Sequence, residues 1–378
     1  MSPLDRFCDT ELSRKLMGRV AALADEVAER LGRPAVFIEV CGTHTVAISR
    51  LGLRSLLAGR VELRSGPGCP VCVTDHQEID MMVNLARLPG VTLGTFGDML
   101  RVPGSRSSLE RERAGGADVR IFYSPLDAVA FAEANPEREV VFLGIGFETT
   151  APVVASTLTR ARAKGVKNFS IFSAHKLIPP AIRAVLSDPV LKLDGLILPG
   201  HVSAITGRRA FDFIVKEYGL PSVISGFEPM DILLALHELL LQLLRGEARV
   251  VNKYTRVVRE EGNLDARKRI AECFEEVDVP WRGLGVIPES GLSLRETFRD
   301  FDARFKLNIE PAPPTSHYPP GCACKEILRG KLLPPECRLF SNVCTPVHPV
   351  GPCMVSSEGA CAAYYRFERF SPVGGSLG

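Results

Sequence analysis

Eight short runs of β-branched and aromatic residues recur between positions 35 and 224, and their spacing restricts the fold more than any other feature. They cover 35–40, 61–64, 91–94, 119–123, 140–143, 169–172, 193–198 and 222–224. Their starts lie about 26 residues apart, and most end in a Gly-rich or polar loop followed by a helical stretch. That rhythm predicts strand–helix units with parallel strands. Eight units could close a barrel, but about 205 residues is short for one. The expected architecture is therefore α/β: two similar open α/β domains with mainly parallel sheets, then a cysteine-rich C-terminal domain. The expected boundaries are 1–124, 125–245 and 246–378. In such sheets ligands bind at the loops after the strands, where the unusual residues of this chain occur.

After Gly246 the pattern changes. Positions 250–258 read as a strand and 264–276 as a helix opened by Asn263. Five prolines between 311 and 320 mark an extended connector. Beyond it the chain is rich in Gly, Pro and Cys, with little periodicity. Such a segment buries little apolar surface and is expected to need a metal staple.

The 378 residues carry 46 Lys+Arg against 44 Asp+Glu, and one tryptophan. This balance lacks the basic excess and the stacking platforms of a nucleic-acid binder. No secretory leader is legible at the N-terminus. The most apolar run, 232–244, is too short for a membrane span and contains His237 and Glu238. The expectation is a soluble, cytoplasmic protein whose eleven cysteines serve as metal ligands or redox thiols rather than structural disulfides. Cys8 and Cys273 stand alone and read as small buried hydrophobes.

Six cysteines fall between 322 and 361, where an even spread would place about one. They are Cys322, Cys324, Cys337, Cys344, Cys353 and Cys361. Four thiolates would suit an iron–sulfur cluster, with two left over as a redox dithiol; zinc and disulfides are the alternatives. Near the N-terminus, Cys41 and His44 follow one strand, and Cys69-Pro70-Val71-Cys72 follows the next. A CxxC dithiol before a helix (Asp75 onward) resembles a thioredoxin-like motif. Alternatively Cys41, His44, Cys69 and Cys72 would form a zinc site. Glu148, His175 and His201 lie just past other strands. The glycines at 144 and 146 lack the third glycine and the lysine of a phosphate loop, so nucleotide binding is weakly supported.

The motifs CGTHT (41–45), GPGCPVC (66–72), GFETTAP (146–152), SAHKLIPPA (173–181) and LPGHVSAI (198–205) together resemble the HypD family of [NiFe]-hydrogenase maturation proteins. So does the tail, through GCAC (321–324), LRGKLLPPEC (328–337) and CTPVHPVGPCMVSSEGACAAYY (344–365). The resemblance implies a scaffold for building the Fe(CN)2CO unit of the hydrogenase active site, working with a HypC-type small chaperone and a HypE-type cyanide donor. It implies Cys41 as principal ligand of the iron, with Cys69 and Cys72 as the dithiol beside it. Cys322, Cys337, Cys344 and Cys361 would hold a [4Fe–4S] cluster, and Cys324 and Cys353 would relay electrons. His44, Glu148 and His201 complete the candidate site. The competing function is a cluster-containing thiol–disulfide oxidoreductase that acts on other proteins.

Overall fold

The computed structural model describes residues 10–310 and 319–370. Cys8 and most of the proline connector lie outside the described residues. All eight apolar runs form strands: β1 (Ala35–Glu39), β2 (Val61–Ser65), β3 (Val91–Thr95), β4 (Val119–Ile121), β5 (Glu139–Gly146), β6 (Phe169–His175), β7 (Gly195–Pro199) and β8 (Ser222–Ser225). A ninth, β9 (Val250–Asn252), is shorter than the predicted strand. β1, β3, β6, β7 and β8 are buried along their whole length, as parallel strands covered on both faces must be.

The strands form two parallel sheets, ordered β2-β1-β7-β8-β9 and β4-β3-β5-β6. The second sheet is thus inserted between the second and third strands of the first. The boundary expected at 124/125 is corrected by this topology. It falls inside the second sheet, because β3 pairs with β5 as well as with β4. Continuous apolar runs say that a strand is central but not which strand it joins.

The helices Thr10–Leu31 and Pro229–Arg245 cover one face of the first sheet. Val20, Ala24 and Val27 meet Ile232, Leu236 and Leu239 there in a single apolar cluster. The 232–244 run is the interior of that helix, and among the described residues no helix is long and apolar enough to cross a membrane.

After 246, Cys273, Phe274, Leu292 and Phe298 pack with the second sheet, while the cysteine-rich C-terminal region joins a different apolar cluster. The helix Leu264–Cys273 ends earlier than expected, and the chain turns into the antiparallel hairpin β10 (Phe274–Trp281) and β11 (Gly285–Leu294). This hairpin shields the outer edge of β6, bridging Lys176 to Gly291, so the second sheet presents no bare edge there. Cys273 is buried in the same core, as read from the sequence.

The cysteine-rich segment also differs from expectation. Ile327, Leu328, Met354, Val355 and Ala360 enter one apolar core with β5, β7 and β8. The segment is therefore fixed by ordinary burial as well as by its sulfurs.

Candidate thiol and metal centres

Cys41 follows β1 by two residues and precedes the helix Gly42–Arg50. The loop after β2 is zipped onto it. Gly66 N–H donates to Glu39 O at 2.8 Å and Gly42 N–H to Gly68 O at 2.9 Å. A Cβ on Gly68 would collide with the Cys41 backbone, so this close approach needs glycine. The zipper brings the segment that leads into Cys69 and Cys72 against the Cys41 backbone. Those two are disulfide-bonded, with Cα atoms 5.2 Å apart. Pro70 starts a four-residue helical turn, and Cys72 N–H donates to Cys69 Sγ at 3.2 Å. The expected helix after Asp75 is present at His76–Ala86, but the dithiol occupies its own turn ahead of it.

The surroundings of Cys41 are buried and acidic. Glu39 Oε2 accepts the Cys41 N–H at 3.0 Å, while Thr45 donates its hydroxyl to the other oxygen. Burial pushes the Glu39 carboxyl up to about 7. Burial pushes the Cys41 thiol up to about 12, and the charges of Glu358 and Glu39 act in the same direction. Thr43 Oγ1 donates to Glu358 Oε1 at 2.9 Å.

His44 Nε2 lies 2.9 Å from Gly226 O, and burial lowers its pKa to about 4, leaving a neutral ring. Phe227 packs against both His44 (4.6 Å) and His201 (4.0 Å). Two strand-end histidines, Cys41 and the CxxC thus converge at one edge of the first sheet.

Glu39, Phe227 and Glu358 belong to this site and were not singled out from the sequence. Glu358 stands within a quoted motif, three residues from Cys361, and Glu39 stands just ahead of another, two residues from Cys41. Their proximity to sulfur was the available signal.

Glu148 is not brought to Cys41. Its Oε1 accepts the Ile178 N–H at 2.9 Å, and it lines a separate groove with Leu177, Arg183 and Glu276. Burial raises its pKa to about 7. His175 is structural: its Nδ1 lies 3.1 Å from Ser173 Oγ and its ring packs edge-on against Phe274.

The zinc alternative at Cys41 finds no ready ligand set. Cys69 and Cys72 are bonded to each other and His44 Nε2 is engaged. Among the described residues, no three His, Cys, Asp or Glu side chains are grouped to hold one metal ion.

The tail forms a second centre. Cys322, Cys337, Cys344 and Cys361 are unpaired thiols around one small enclosed cavity, and Cys324 and Cys353 line it too. Burial drives the Cys361 thiol far up, and the neighbouring Cys322, Cys344 and Cys337 add to this. Backbone N–H groups aim at the sulfurs: Ala323 at Cys337 (3.4 Å) and Val350 at Cys344 (3.3 Å). Gly351 stands where a Cβ would crowd Cys322 Sγ at 2.7 Å. Four unpaired thiols, amide donors to sulfur and a glycine wall are a donor set that fits an iron–sulfur cluster.

Cys324 and Cys353 form a disulfide, with Cα atoms 6.3 Å apart. Cys353 lies in the turn Pro352–Val355, which packs on the CxxC turn. The two centres are therefore joined through a pair of disulfides.

The family described as "Hydrogenase formation hypA family" (HypD) matches residues 12–368. "Hydrogenase maturation factor HypD" of Azotobacter vinelandii is 47% identical over 376 residues, covering 98% of this chain and 97% of the relative. The protein of the same name from Rhodobacter capsulatus is 44% identical over 364 residues, covering 96% and 97%. That from Escherichia coli strain K12 is 43% identical over 367 residues, covering 97% and 98%.

Proposed function

The chain belongs to the HypD hydrogenase formation family, and we propose that it is a scaffold on which the Fe(CN)2CO unit of a [NiFe]-hydrogenase is assembled. One observation carries this reading: the Gly68–Cys41 backbone contact, which brings the segment of the CxxC against a buried, unpaired cysteine. A plain thiol–disulfide reductase needs the CxxC but has no use for a third cysteine floored by Glu39 and flanked by Glu358.

In this reading Cys41 binds the incoming iron. At neutral pH its thiol keeps its proton, because burial and two carboxylates disfavour the thiolate. A divalent cation reverses that preference, so the proton leaves as the iron–sulfur bond forms. Glu39 and Glu358 then offset the charge of the bound ion. The His201 imidazole supplies a polar group for cyanide nitrogens, whereas the hydroxyl protons of Thr43 and Thr45 go to Glu358 and Glu39 and the His44 Nε2 proton to the Gly226 carbonyl.

Reduction of the Cys69–Cys72 disulfide consumes two electrons and two protons and yields two thiols beside Cys41. A reduced Cys324/Cys353 pair would deliver both by thiol–disulfide exchange, becoming oxidised itself. Cys322, Cys337, Cys344 and Cys361 would hold a [4Fe–4S] cluster, which when bound supplies single electrons. A HypC-type chaperone and a HypE-type cyanide donor are the proposed partners.

Infrared spectroscopy of the protein purified anaerobically with its small chaperone tests the assignment. Cys41→Ala is expected to abolish the CN and CO bands while leaving the brown cluster colour. Bands that persist in this variant would remove Cys41 from the role.

A further inference from the structure

We propose that Arg54 and Glu368 are positioning residues for Cys41, tying the helix that carries Cys361 to the floor of the Cys41 site. The proposal rests on the reading of Cys41 as the iron-binding thiol and extends it to residues 314 positions apart in sequence.

The chain of contacts starts at Glu39, whose carboxyl takes the Cys41 N–H and is itself fully buried. Arg54 is buried in turn and is tied through Ser49 to the helix Gly42–Arg50, which follows Cys41. Its Nε donates to Leu63 O at 2.9 Å, and its Nη1 to Ser49 Oγ at 2.8 Å and Glu368 Oε1 at 2.6 Å. The guanidinium lies 4.3 Å over the Tyr364 ring. The Arg54–Glu368 pair is 4% exposed on each side, so neither charge has water as a substitute partner.

Tyr364 belongs to the helix Ala360–Phe367, and Glu368 caps its C-terminus. Cys361, Tyr364 and Glu368 fall at i, i+3 and i+7, on one helical face. That face sets Cys361 against the thiol-lined cavity at one end and clasps Arg54 at the other. Just ahead of the helix, Glu358 accepts from Thr43 and packs on Gly42, where no Cβ would fit. The helix is thus fastened at its N-terminal side to the Cys41 loop through Glu358 and at its C-terminal side through Arg54 to the far end of the helix that follows Cys41, and the same element reaches both sulfur centres.

The test is the rate at which iodoacetamide alkylates Cys41, read by mass spectrometry on the full-length anaerobic protein with Cys69–Cys72 oxidised. Glu368→Gln is expected to raise that rate about tenfold or more, with the cluster absorption unchanged. Glu368→Asp, which keeps the charge, should restore most of the protection. Cys273, buried in the core of the second sheet, serves as internal control and should stay unlabelled. Cys41 labelling as slow in Glu368→Gln as in the parent would overturn the proposal. So would equal acceleration at Cys41 and Cys273, which would reduce the pair to a general stability role. Wild-type protein without CN and CO bands would sink the assembly reading alone and leave the labelling result standing.

Discussion

Cys72 Sγ lies 3.8 Å from the carbonyl oxygen of Pro352, the residue immediately before Cys353. Two cysteine pairs separated by some 280 positions thereby become neighbours. Cys353→Ser should break the transfer between them. After reduction with dithionite, the parent is expected to show Cys69 and Cys72 as alkylatable thiols, whereas the variant should retain that disulfide. Equal labelling in both would mean that reductant reaches the CxxC by another route.

Cys322→Ala removes one of four thiols around the tail cavity. The brown absorption and the bound iron of anaerobically reconstituted protein should both fall sharply. Zinc found in place of iron in the parent would refute the cluster assignment.

Lys176 and Glu78 form an ion pair of 2.7 Å with side chains only 1% and 2% exposed. It joins the end of β6 to the helix that follows the CxxC. Lys176→Met leaves a buried carboxylate without its cation and should cost about 3–5 kcal/mol in urea unfolding. Adding Glu78→Gln, which removes the stranded charge, should recover most of the loss.

Glu148 gives a pH-dependent test of stability. Its folded pKa of about 7 lies above the ordinary 4.5, so the native state binds the proton more tightly. This residue therefore favours folding increasingly as pH falls from 7 toward 4.5 and disfavours it above 7. Glu148→Gln should stabilise the protein at pH 8 relative to pH 5, by up to about 3 kcal/mol. Urea titrations of parent and variant at the two pH values measure the difference, and parallel profiles would contradict it.

Strand positions were readable because parallel strands buried on both faces leave unbroken apolar runs, as in β1 and β6. Strand-end loops carrying Cys41, Cys69 and His201 followed from the same rhythm. The pairing of β1 with β7 was not readable, since a run such as Phe37-Ile38 suits any central position. The hairpin from Phe274 to Leu294 escaped notice because Asp278, Pro280 and Pro288 interrupt its alternation, and the register shifts between Val277 and Val279. Glu39, Arg54 and Glu368 look like surface charges in sequence. Arg54 and Glu368 are interior because they pair across 314 positions, and Glu39 because the Cys41 N–H and the Thr45 hydroxyl satisfy its carboxyl.

The inserted second sheet has a bearing on biosynthesis. A ribosome releases β1 and Cys41 well before β7, which must hydrogen-bond to β1 and emerges about 150 residues later, and Glu358 and Glu368 follow later still. The intervening strands β3 to β6 are contiguous and can fold while the first sheet waits. Throughout that interval the nascent Cys41 lacks its cover and is open to oxidants, so the burial that keeps this thiol quiet is acquired only once a segment more than 300 residues downstream has been made.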